Sequence, residues 1–511
     1  MHILMVGAEN DRLPNCKVGG VADVIRDIPY ALNELGLNTS VIVPDYGQES
    51  LNREFVADIA VPFRQHLETA SLWLVEQNDG VNQYVVSHSL FSENGGKIYS
   101  DDGAHRPFAT DATKFAFFSA VVCEIIEHHL IKGIDVIHLH DWHAAGVAVL
   151  AKFSPRFVHL KTLKLVYTVH NLALQGIRPF NHDDSSLEAW FPTLNYDGHL
   201  ICDHRHPHCY NPMRSALVLC DVIHVVSPTY KLEVQEPSRP DEGFFGGEGL
   251  EHDMHQAAEQ GRLFGILNGC DYSHNQKKSI SYDEYLNKAE NCLFKWMSKS
   301  FQLETKHYIA HQRINSWRNS PTKPLITSIG RITSQKVLLL IQKSNNGIVL
   351  DDLAIKAAEY NSNIIILGSG DSYIESQFMQ VMARRENVLF LNGYDTLLGD
   401  ELYPLGDLFL MPSSFEPCGI SQMLSMRAGQ PCLVHGVGGL KDTVVHNESG
   451  FIFNGNSLQE QVNALLDTFD DAMNLLCNSP EQFKKISSNS YEQRFEWHQI
   501  AQQYLEKLYQ V

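Results

Sequence analysis

The amino-acid sequence predicts an α/β protein built from two doubly wound parallel-sheet domains. Its 511 residues exceed the roughly 250 to 300 residues at which one hydrophobic core stops growing efficiently, so two large domains are expected. Short apolar runs alternate along the chain with segments whose apolar residues recur at helical spacing. Because parallel strands need a crossover between them, this alternation favours parallel sheets with helices on both faces.

The first half of the chain repeats a strand, helix, strand order. Residues 2–6 form a short apolar run, and residues 21–35 carry apolar side chains at helical spacing and end before Gly36, a residue typical of helix C-caps. The other elements predicted here are strands at residues 39–43, 135–140, 163–169 and 222–226 and a helix at residues 144–153. We therefore expect the first domain at residues 1–264.

A second series of strand candidates begins near residue 264. It comprises residues 325–329, 363–367, 388–391, 407–411 and 431–434, with helical stretches between several of them. Residues 273–324 are polar and lysine-rich, and only two helices, at residues 285–296 and 305–317, are predicted there. The second domain is expected at residues 265–489. Open parallel sheets bind ligands at the carboxyl ends of their strands, so functional residues are expected in the loops that follow the strands.

The composition of the chain limits its classes of partner. The net charge of −20 repels nucleic-acid backbones and anionic lipid, so neither is expected as a partner, and an anionic ligand must meet locally placed cations. The ten cysteines form no Cys-x-x-Cys pair, which favours a reducing compartment. The first residues lack a signal-peptide pattern, and no run of about 18 apolar residues predicts a membrane span. We expect a cytoplasmic protein.

The loop after the first predicted strand combines a lysine with two glycines at the start of a helix. Gly19 and Gly20 allow close backbone approach beside the free N–H groups of a helix start, and Lys17 adds a point charge. Together these features can bind a phosphate group. A simple Gly-Gly turn would contain the same residues, and the Gly-x-Gly-x-x-Gly fingerprint of dinucleotide-binding proteins is absent.

Polar residues follow two further strands of the first domain. The segment HLHDWH at residues 138–143 raises the alternative of a metal site, but its spacing is not typical of one. The favoured interpretation is a polar rim in which Asp141 and His143 bind an uncharged hydroxylated ligand. His170 and Asn171 end the next strand and are predicted to face the ligand. The alternative for His170 is a core histidine with satisfied hydrogen bonds.

Two cations follow the first strand of the second domain. Arg331 and Lys336 lie five positions apart on a predicted strand-to-helix turn. An arginine fork and a lysine point charge in this arrangement can grip a diphosphate. Two solvated surface cations would give the same pattern.

A carboxylate and several small residues follow two later strands of the second domain. Glu416 is followed by Cys418 and Gly419, and Gly438 and Gly439 come after the next strand. A carboxylate at a strand end can bind sugar hydroxyls, while N–H groups at a helix start face phosphate. The alternative is a glutamate fixed by the backbone of its neighbours.

Residues 202–209, with the sequence CDHRHPHC, concentrate cysteine and histidine in one short segment. Structural zinc sites use paired ligands at a regular spacing, which this segment lacks. An exposed loop is therefore favoured over a metal site.

Taken together and in this order, eleven segments resemble the bacterial glycogen synthase and plant starch synthase family, glycosyltransferase family 5. They cover most of the chain and read KVGGVADV, HLHDWHA, YTVHNLALQG, VSPTY, EGL, ILNGCD, KAEN, GRITSQK, LGSGD, FEPCGISQ and GGLKDTV. The resemblance implies the GT-B fold, in which two Rossmann-like domains face a deep interdomain cleft. It further implies that a C-terminal helix at about residues 490–511 returns to the first domain.

The resemblance also implies an activity. Family members transfer glucose from a nucleoside diphosphate sugar, in bacteria usually ADP-glucose, to the non-reducing end of an α-1,4-glucan with retention of configuration. The implied acceptor side is residues 1–264 and the donor side residues 265–489. No cofactor is implied.

The family's site residues match individual positions of this sequence. Lys17 matches a lysine that contacts the donor diphosphate, and Arg331 with Lys336 matches the pair that neutralises the leaving group. His170 matches the histidine near the glucosyl carbon, and Glu416 matches the acid that contacts the sugar. The other implied residues are Asp141 and Asn171 on the glucosyl and acceptor side, and the substrate-binding residues Gly19, Gly20, Asn268, Cys418, Gly419, Gly438 and Gly439.

The chemistry of this transfer agrees with the matched cations. Breaking the bond between the anomeric carbon and phosphate builds negative charge on the diphosphate, so preorganised cations at the leaving group supply the largest catalytic contribution. No Asp-x-Asp sequence, the usual metal anchor of metal-dependent glycosyltransferases, occurs in the chain, and no metal is expected. A double displacement would need a carboxylate close to the anomeric face. The resemblance implies front-face attack instead, with the phosphate helping to deprotonate the acceptor.

The chain departs from the family pattern at several positions. Val18 stands where the family usually has Thr or Ser, Val337 where it has Gly, and Val437 where many members have Thr. Residues 108–111 replace the family's Tyr-x-Asp-Asn segment. The departures at residues 108–111 and 273–324 leave open a related glucosyltransferase that uses UDP-glucose or a small acceptor. A non-catalytic glucan-binding homologue is a further alternative, and a metal-dependent hydrolase built on the histidines of residues 138–143 is the least favoured.

Overall fold

Two separate parallel sheets organise the chain in its computed structural model, which describes residues 1–47, 52–78, 80–272, 280–298, 304–318 and 323–510. Each sheet is the centre of one unit. Unit 1 comprises Met1–Ser238, Gly246–Gly269 and Glu496–Val511, and unit 2 comprises Arg239–Phe245 and Cys270–Phe495. Residues 273–279, at the start of the polar segment with few predicted elements, lie outside the described residues.

The sheet of unit 1 has nine strands in the order β11-β10-β7-β6-β1-β2-β5-β4-β3. They are β1 (His2–Val6), β2 (Asn38–Pro44), β3 (Glu54–Phe63), β4 (His66–Asn78), β5 (Val81–Ser87), β6 (Val136–His140), β7 (Lys164–Val169), β10 (Val222–Val225) and β11 (Leu263–Gly265), while β8 (Arg178–Pro179) and β9 (Cys209–Tyr210) form a separate pair. All five strands predicted for this half are present within one or two residues of their expected bounds, and they pair in parallel.

Two features of this sheet differ from the sequence prediction. Strands β3, β4 and β5 pair antiparallel with one another and extend the sheet at one edge. Their side chains alternate between buried and exposed positions. These strands therefore lack the continuous apolar runs from which the parallel strands are predicted. Phe264, placed at the start of the second series, instead lies in β11, which pairs with β10 at the opposite edge.

The helices of unit 1 cover the sheet. They are Gly20–Glu34, Ser89–Gly96, Ala109–Glu127, Asp141–Ala144, Gly146–Phe153, Leu187–Trp190, Gly198–Ile201, Pro212–Leu219, Pro228–Glu233, Glu251–Glu259 and Trp497–Tyr504, with short turns at Leu160–Thr162 and Leu505–Tyr509. The first of them ends as predicted, because Gly36 takes the left-handed conformation (φ 84°) that favours glycine.

The C-terminal helix Trp497–Tyr504 packs against the first helix of unit 1. Trp497 is 9% exposed and shares a hydrophobic core with Val24 and Ile28. Its indole Nε1 donates a hydrogen bond to Asp27 at 3.0 Å. The last part of the described chain therefore completes the core that the first residues begin.

The sheet of unit 2 has six parallel strands in the order β16-β15-β12-β17-β18-β19. They are β12 (Leu325–Ile329), β15 (Asn363–Gly368), β16 (Val388–Asn392), β17 (Leu408–Met411), β18 (Cys432–His435) and β19 (Gly450–Phe453), while β13 (Lys343–Ser344) and β14 (Gly347–Ile348) form a short hairpin. The first five strands confirm the prediction. The sixth was missed because its four residues, two of them aromatic, are too few for a periodic signal.

The helices of unit 2 include both helices predicted in its polar N-terminal segment. These are Tyr282–Met297 and Thr305–Arg318, and the others are Ser334–Val337, Val349–Glu359, Ser372–Arg384, Thr396–Leu405, Ser421–Arg427, Gly438–Thr443, Leu458–Asn478 and Pro480–Glu492, with short turns at Pro240–Glu242 and Leu338–Ile341. No helix within the described ranges is both long and apolar enough to cross a membrane.

The strand order positions the functional loops in both units. In unit 2 the strands follow the order 3-2-1-4-5-6 of a Rossmann sheet, and the order reverses between β12 and β17. In unit 1 the reversal lies between β1 and β6. Crevices form where the connections on either side of such a reversal diverge. The loops after β1, β6, β12 and β17 are therefore the expected binding loops.

Trp497→Ala is expected to destabilise unit 1 by about 3–5 kcal/mol, because it removes a large buried side chain from a packed core. Trp497→Phe retains most of the packing and loses the hydrogen bond to Asp27, so its loss should be about 1 kcal/mol. Calorimetric unfolding of the two variants measures both effects. Equal losses in the two variants would contradict this account of the packing.

Candidate functional site

The loop after β1 holds a carboxylate at the start of the first helix. Glu9 is buried, and its Oε2 accepts hydrogen bonds from the backbone N–H groups of Val18 (2.5 Å) and Gly19 (2.7 Å). The Tyr99 hydroxyl donates to its other oxygen at 2.5 Å. Gly19 is the N-cap of the helix that begins at Gly20 and has no side-chain cap. Glu9 thus occupies the backbone donors that the sequence analysis assigned to a phosphate.

Lys17 is also held by acidic side chains of the same loop and helix. Its Nζ donates to Asp11 at 2.9 Å and to Asp23 at 2.6 Å. Burial favours the neutral lysine, but the attraction of Asp23 and Asp11 outweighs it, so the pKa of Lys17 lies above its usual value. Arg26 contacts Asp11 as well, at 2.5 Å. The cation is charged and positioned at the strand end before any ligand binds.

Asp141 lies directly after β6 in a strained backbone conformation. Its φ of 55° is in the left-handed region, which is costly for a residue other than glycine. The side chain is 6% exposed, and its Oδ1 accepts the backbone N–H of His170 at 2.7 Å. Burial raises the pKa of Asp141 to about 7, although the N–H groups of His170 and Asn171 oppose the shift. A carboxyl group of this kind changes its charge near neutral pH.

His170 directly follows β7, and its ring contacts that of His140. Its Nε2 lies 3.0 Å from His140 Nδ1, and the residue is 8% exposed. Burial lowers the pKa of His170 well below its usual value, so the ring is neutral. Asn171 is partly exposed, and its Oδ1 accepts the N–H of Ala173 at 2.8 Å. His170 is therefore a buried histidine with a hydrogen-bond partner, and its role at the glucosyl site stays a prediction.

His143 packs among aromatic rings. Its ring centroid is 4.3 Å from that of Trp142, 4.6 Å from that of Phe115 and 5.2 Å from that of Tyr99. Burial lowers the pKa of His143 to about 3. The ring is neutral and contributes packing beneath the loop that carries Asp141.

No group of three or more His, Cys, Asp or Glu side chains among the described residues has an arrangement suited to a metal ion. His138 contacts Thr168 and Tyr509 instead. In the loop at residues 202–209, His204 contacts Asp253 at 2.8 Å. Arg214, which donates to the same carboxylate at 3.1 Å, is buried beside it.

In unit 2, the loop after β12 presents two cations with different surroundings. Arg331 is exposed and makes no side-chain hydrogen bond or ion pair within the part of the chain that the structure describes. Lys336, in the helix Ser334–Val337, forms an ion pair with Glu416. Glu416 is 5% exposed and also accepts a hydrogen bond from the Ser413 hydroxyl at 3.3 Å. Lys336 and Glu416, which the sequence analysis named separately, are therefore in direct contact.

The backbone holds the Glu416 loop against the helix that carries Lys336. The N–H groups of Ser414 and Phe415 donate to the Gln335 carbonyl at 3.0 and 3.2 Å. On the other side, Gly439 N–H donates to the Glu416 and Pro417 carbonyls at 3.1 and 3.2 Å. The Glu416 carboxylate is thus fixed by the chain around it.

Glycine is required where the Gly438–Thr443 helix meets this loop. Gly438 has a φ of 43°, and a Cβ there would lie 2.0 Å from the Glu416 carbonyl oxygen. A Cβ on Gly439 would lie 2.3 Å from the Cys418 carbonyl oxygen. Gly419 takes a φ of 80°. These glycines allow the two chain segments to pack directly against each other, and Cys418 is buried between them.

Asn268 follows β11 in unit 1 and is 5% exposed. Two sets of contacts in the loop after β1 were not predicted from the sequence. Asp11 and Asp23 hold Lys17, and Glu9 accepts the loop N–H groups and the Tyr99 hydroxyl. Glu9 and Asp11 lie in the loop that follows β1, so the rule that functional residues follow strands could have found them. Tyr99 is far from them in sequence, and only the fold brings it to Glu9.

Comparison with known proteins agrees with this architecture. Residues 2–256 match the family "Starch synthase catalytic domain", and residues 312–491 match the family "Glycosyl transferases group 1". Glycogen synthase from Exiguobacterium sibiricum is 31% identical over 98% of this chain and 97% of its own length. Glycogen synthase from Hydrogenobaculum sp. is 30% identical over 100% of this chain and 98% of its own length. Among solved structures, the chain is similar to the catalytic domain of starch synthase IV from Arabidopsis thaliana bound to ADP and acarbose. The TM-score is 0.76 and the identity 24%, over 99% of this chain and 98% of the other.

Two Rossmann-type units with these family matches define a glycosyltransferase of the GT-B fold. The full-length similarity goes further, and the chain belongs to the glycogen synthase family. It is a glucosyltransferase that acts as a glycogen synthase, with a nucleotide-sugar donor and a glucan acceptor. The GT-B fold and the glycogen synthase activity implied by the sequence resemblance are thereby confirmed. The donor nucleotide, the acceptor end and the stereochemistry of transfer stay predictions.

Asp141→Asn is expected to change how stability depends on pH. The pKa of Asp141 is raised to about 7 in the folded protein but is about 3.9 in an unfolded chain, so its stabilising contribution is full below pH of about 4 and is lost as the pH rises through 7. Between pH 5 and 8 the free energy of unfolding of unit 1 should therefore fall by about 2–3 kcal/mol more in the native protein than in the variant. Denaturant titrations at the two pH values measure the difference. Parallel pH profiles would contradict the raised pKa.

Proposed function

We propose that this glycogen synthase takes its glucose from ADP-glucose and adds it, with retention of configuration, to the non-reducing end of an α-1,4-glucan. The observation that carries the proposal is the set of cations at the strand-order reversals: Lys17 after β1, and Arg331 and Lys336 after β12. The preference for adenine is supported by the relationship to starch synthase IV, which was determined bound to ADP. In this scheme unit 1 binds the acceptor and unit 2 the donor.

The three cations bind the diphosphate of the donor. As the glycosidic bond to phosphate breaks, negative charge accumulates on the departing diphosphate, and fixed positive charge lowers the energy of that state. Arg331 is exposed and offers its guanidinium fork, while Lys336 is a point charge. Lys17 is already charged in the free protein. Together they supply the charge neutralisation that a divalent metal supplies in other glycosyltransferases.

Donor binding exchanges internal partners for substrate groups. A phosphate oxygen can replace the Glu9 carboxylate on the N–H groups of Val18 and Gly19, with Gly20 opening the helix behind them. In unit 2 the diphosphate attracts Lys336, and Glu416 is then free to accept hydrogen bonds from sugar hydroxyls. The loop of the buried Cys418 and the half-buried Gly419, backed by Gly438 and Gly439, keeps that carboxylate in place.

The glucosyl group lies against the strand ends of β6 and β7. His170 contacts it near the anomeric carbon, and Asp141 and Asn171 bind its hydroxyls or those of the acceptor, with Asn268 as a further polar contact. Asp141 has a pKa of about 7, so it can accept or donate a hydrogen bond to a hydroxyl group near neutral pH. The acceptor hydroxyl attacks from the face that the diphosphate leaves, and a phosphate oxygen takes its proton.

Arg331→Ala or Lys336→Ala is expected to lower the turnover number by about 10²-fold or more, since each cation supplies about 3 kcal/mol to the departing diphosphate. Lys343→Ala removes an exposed lysine of the β13–β14 hairpin in the same unit and is the matched control. Initial rates of glucose incorporation into glycogen measure the effect. Unchanged kinetics in both variants would show that other groups neutralise the leaving group.

A donor and acceptor panel tests the substrates themselves. ADP-glucose with glycogen should give the highest kcat/KM, and maltose or free glucose should be poorer acceptors. Faster transfer from UDP-glucose would overturn the adenine preference and leave the mechanism intact. Absence of glucose incorporation from either donor would overturn the proposal as a whole.

A further inference from the structure

Two buried histidines of unit 1 share one hydrogen bond at the proposed glucosyl site. His140 is fully buried at the end of β6, and its Nδ1 lies 3.0 Å from His170 Nε2. The two rings are stacked, with their centroids 5.3 Å apart. Burial lowers the pKa values of both well below the usual range, so both rings are neutral. One proton therefore lies between them, and one of the two nitrogens carries it.

The environment of His140 decides which nitrogen carries the proton. His140 Nε2 is enclosed and has no hydrogen-bond partner in the described part of the chain. A buried N–H without an acceptor is rarer and more costly than a buried acceptor without a donor. The proton of His140 therefore lies on Nδ1, which donates to His170 Nε2. The neutral His170 then carries its own proton on Nδ1.

The neighbouring histidines are consistent with fixed tautomers throughout this interior. The Ile266 carbonyl accepts from His224 Nε2 at 3.1 Å, so His224 Nδ1 is bare and accepts from the Thr168 hydroxyl at 2.9 Å. Thr168 has one proton, so it accepts from His138 Nε2 at 2.6 Å. His138 Nδ1 is then bare and accepts the Tyr509 hydroxyl at 2.8 Å. Every donor in this chain of hydrogen bonds already has an acceptor. None of them therefore donates to His140 Nε2.

We propose that His140 is a positioning residue that fixes His170 in its Nδ1–H tautomer, so that His170 presents a hydrogen-bond donor to an oxygen of the glucosyl group. The proposal rests on the proposed function for the role of His170 in the site. Asp141 holds the His170 backbone N–H at 2.7 Å, and His140 holds the ring. The backbone and the ring of His170 are thus fixed by different residues of the HLHDWH segment. Nδ1 is the ring nitrogen that remains for the substrate.

Nitrogen-15 NMR of histidine-labelled full-length protein without substrate tests the tautomer directly. Protonated and bare ring nitrogens of a neutral imidazole have well-separated ¹⁵N shifts, and the His170→Asn variant identifies the His170 signals by their loss. His170 should show a protonated Nδ1 and a bare Nε2. The opposite pattern would overturn the proposal. Because no substrate is present, this result is independent of whether the donor and acceptor are those proposed above.

Two variants of His140 test its positioning role. Asn can place its amide N–H₂ where His140 Nδ1 donates, whereas Leu fills the space without a donor. His140→Asn should retain the His170 Nδ1–H signal, and His140→Leu should give a mixture of the two tautomers. The corresponding kcat/KM for the nucleotide sugar should fall about tenfold in the Leu variant and about twofold in the Asn variant, with the KM for glycogen unchanged in both.

His224→Asn is the matched control, because His224 is a buried histidine of the same sheet that contacts Thr168 and Ile266 rather than His170. It should lower the melting temperature while leaving the His170 tautomer unchanged. A pure Nδ1–H signal in His140→Leu, or equal kinetic losses in the Asn and Leu variants, would overturn the role of His140. If the Leu variant does not fold, the native spectrum and that of His140→Asn still decide the question.

Discussion

The order of the parallel strands reverses beside the first strand of each sheet, and the positions of the candidate site residues depend on this constraint. At a reversal the crossover connections diverge to opposite faces, so the loops after the two central strands leave space for a ligand. In unit 1 these loops carry Lys17 and Asp141, and in unit 2 they carry Arg331 and Glu416. Residues more than 80 positions apart in sequence are therefore brought to one sheet edge within each unit.

The candidate binding groups contact carboxylates of the chain itself. Glu9 accepts the N–H groups at the helix start, Asp11 and Asp23 hold Lys17, and Glu416 holds Lys336. These acidic partners hold the cations in place and offset their positive charge.

Much of the fold could be predicted from the sequence because parallel strands are buried on both faces and appear as continuous apolar runs. The antiparallel strands β3 to β5 escaped notice because their alternating pattern is weak, and β11 and β19 because they have three and four residues. The strand-end rule predicts Asp141, His170, Arg331 and Glu416 as candidate site residues, and each of them follows a strand in the structure. It could not predict that Tyr99 would contact Glu9 or that Lys336 would contact Glu416, because such contacts depend on side-chain packing between distant segments.

The return of residues 496–510 to unit 1 has a consequence for biosynthesis. Trp497 and Tyr504 belong to the same core as Ile3 and Met5, and the Tyr509 hydroxyl contacts His138. Unit 2, which is encoded almost entirely between these segments, contains all the strands of its own sheet. The core of unit 1 therefore cannot be completed until these last residues have been synthesised, long after the strands of its own sheet. Its folding depends on the whole length of the chain, including the part that forms the other unit.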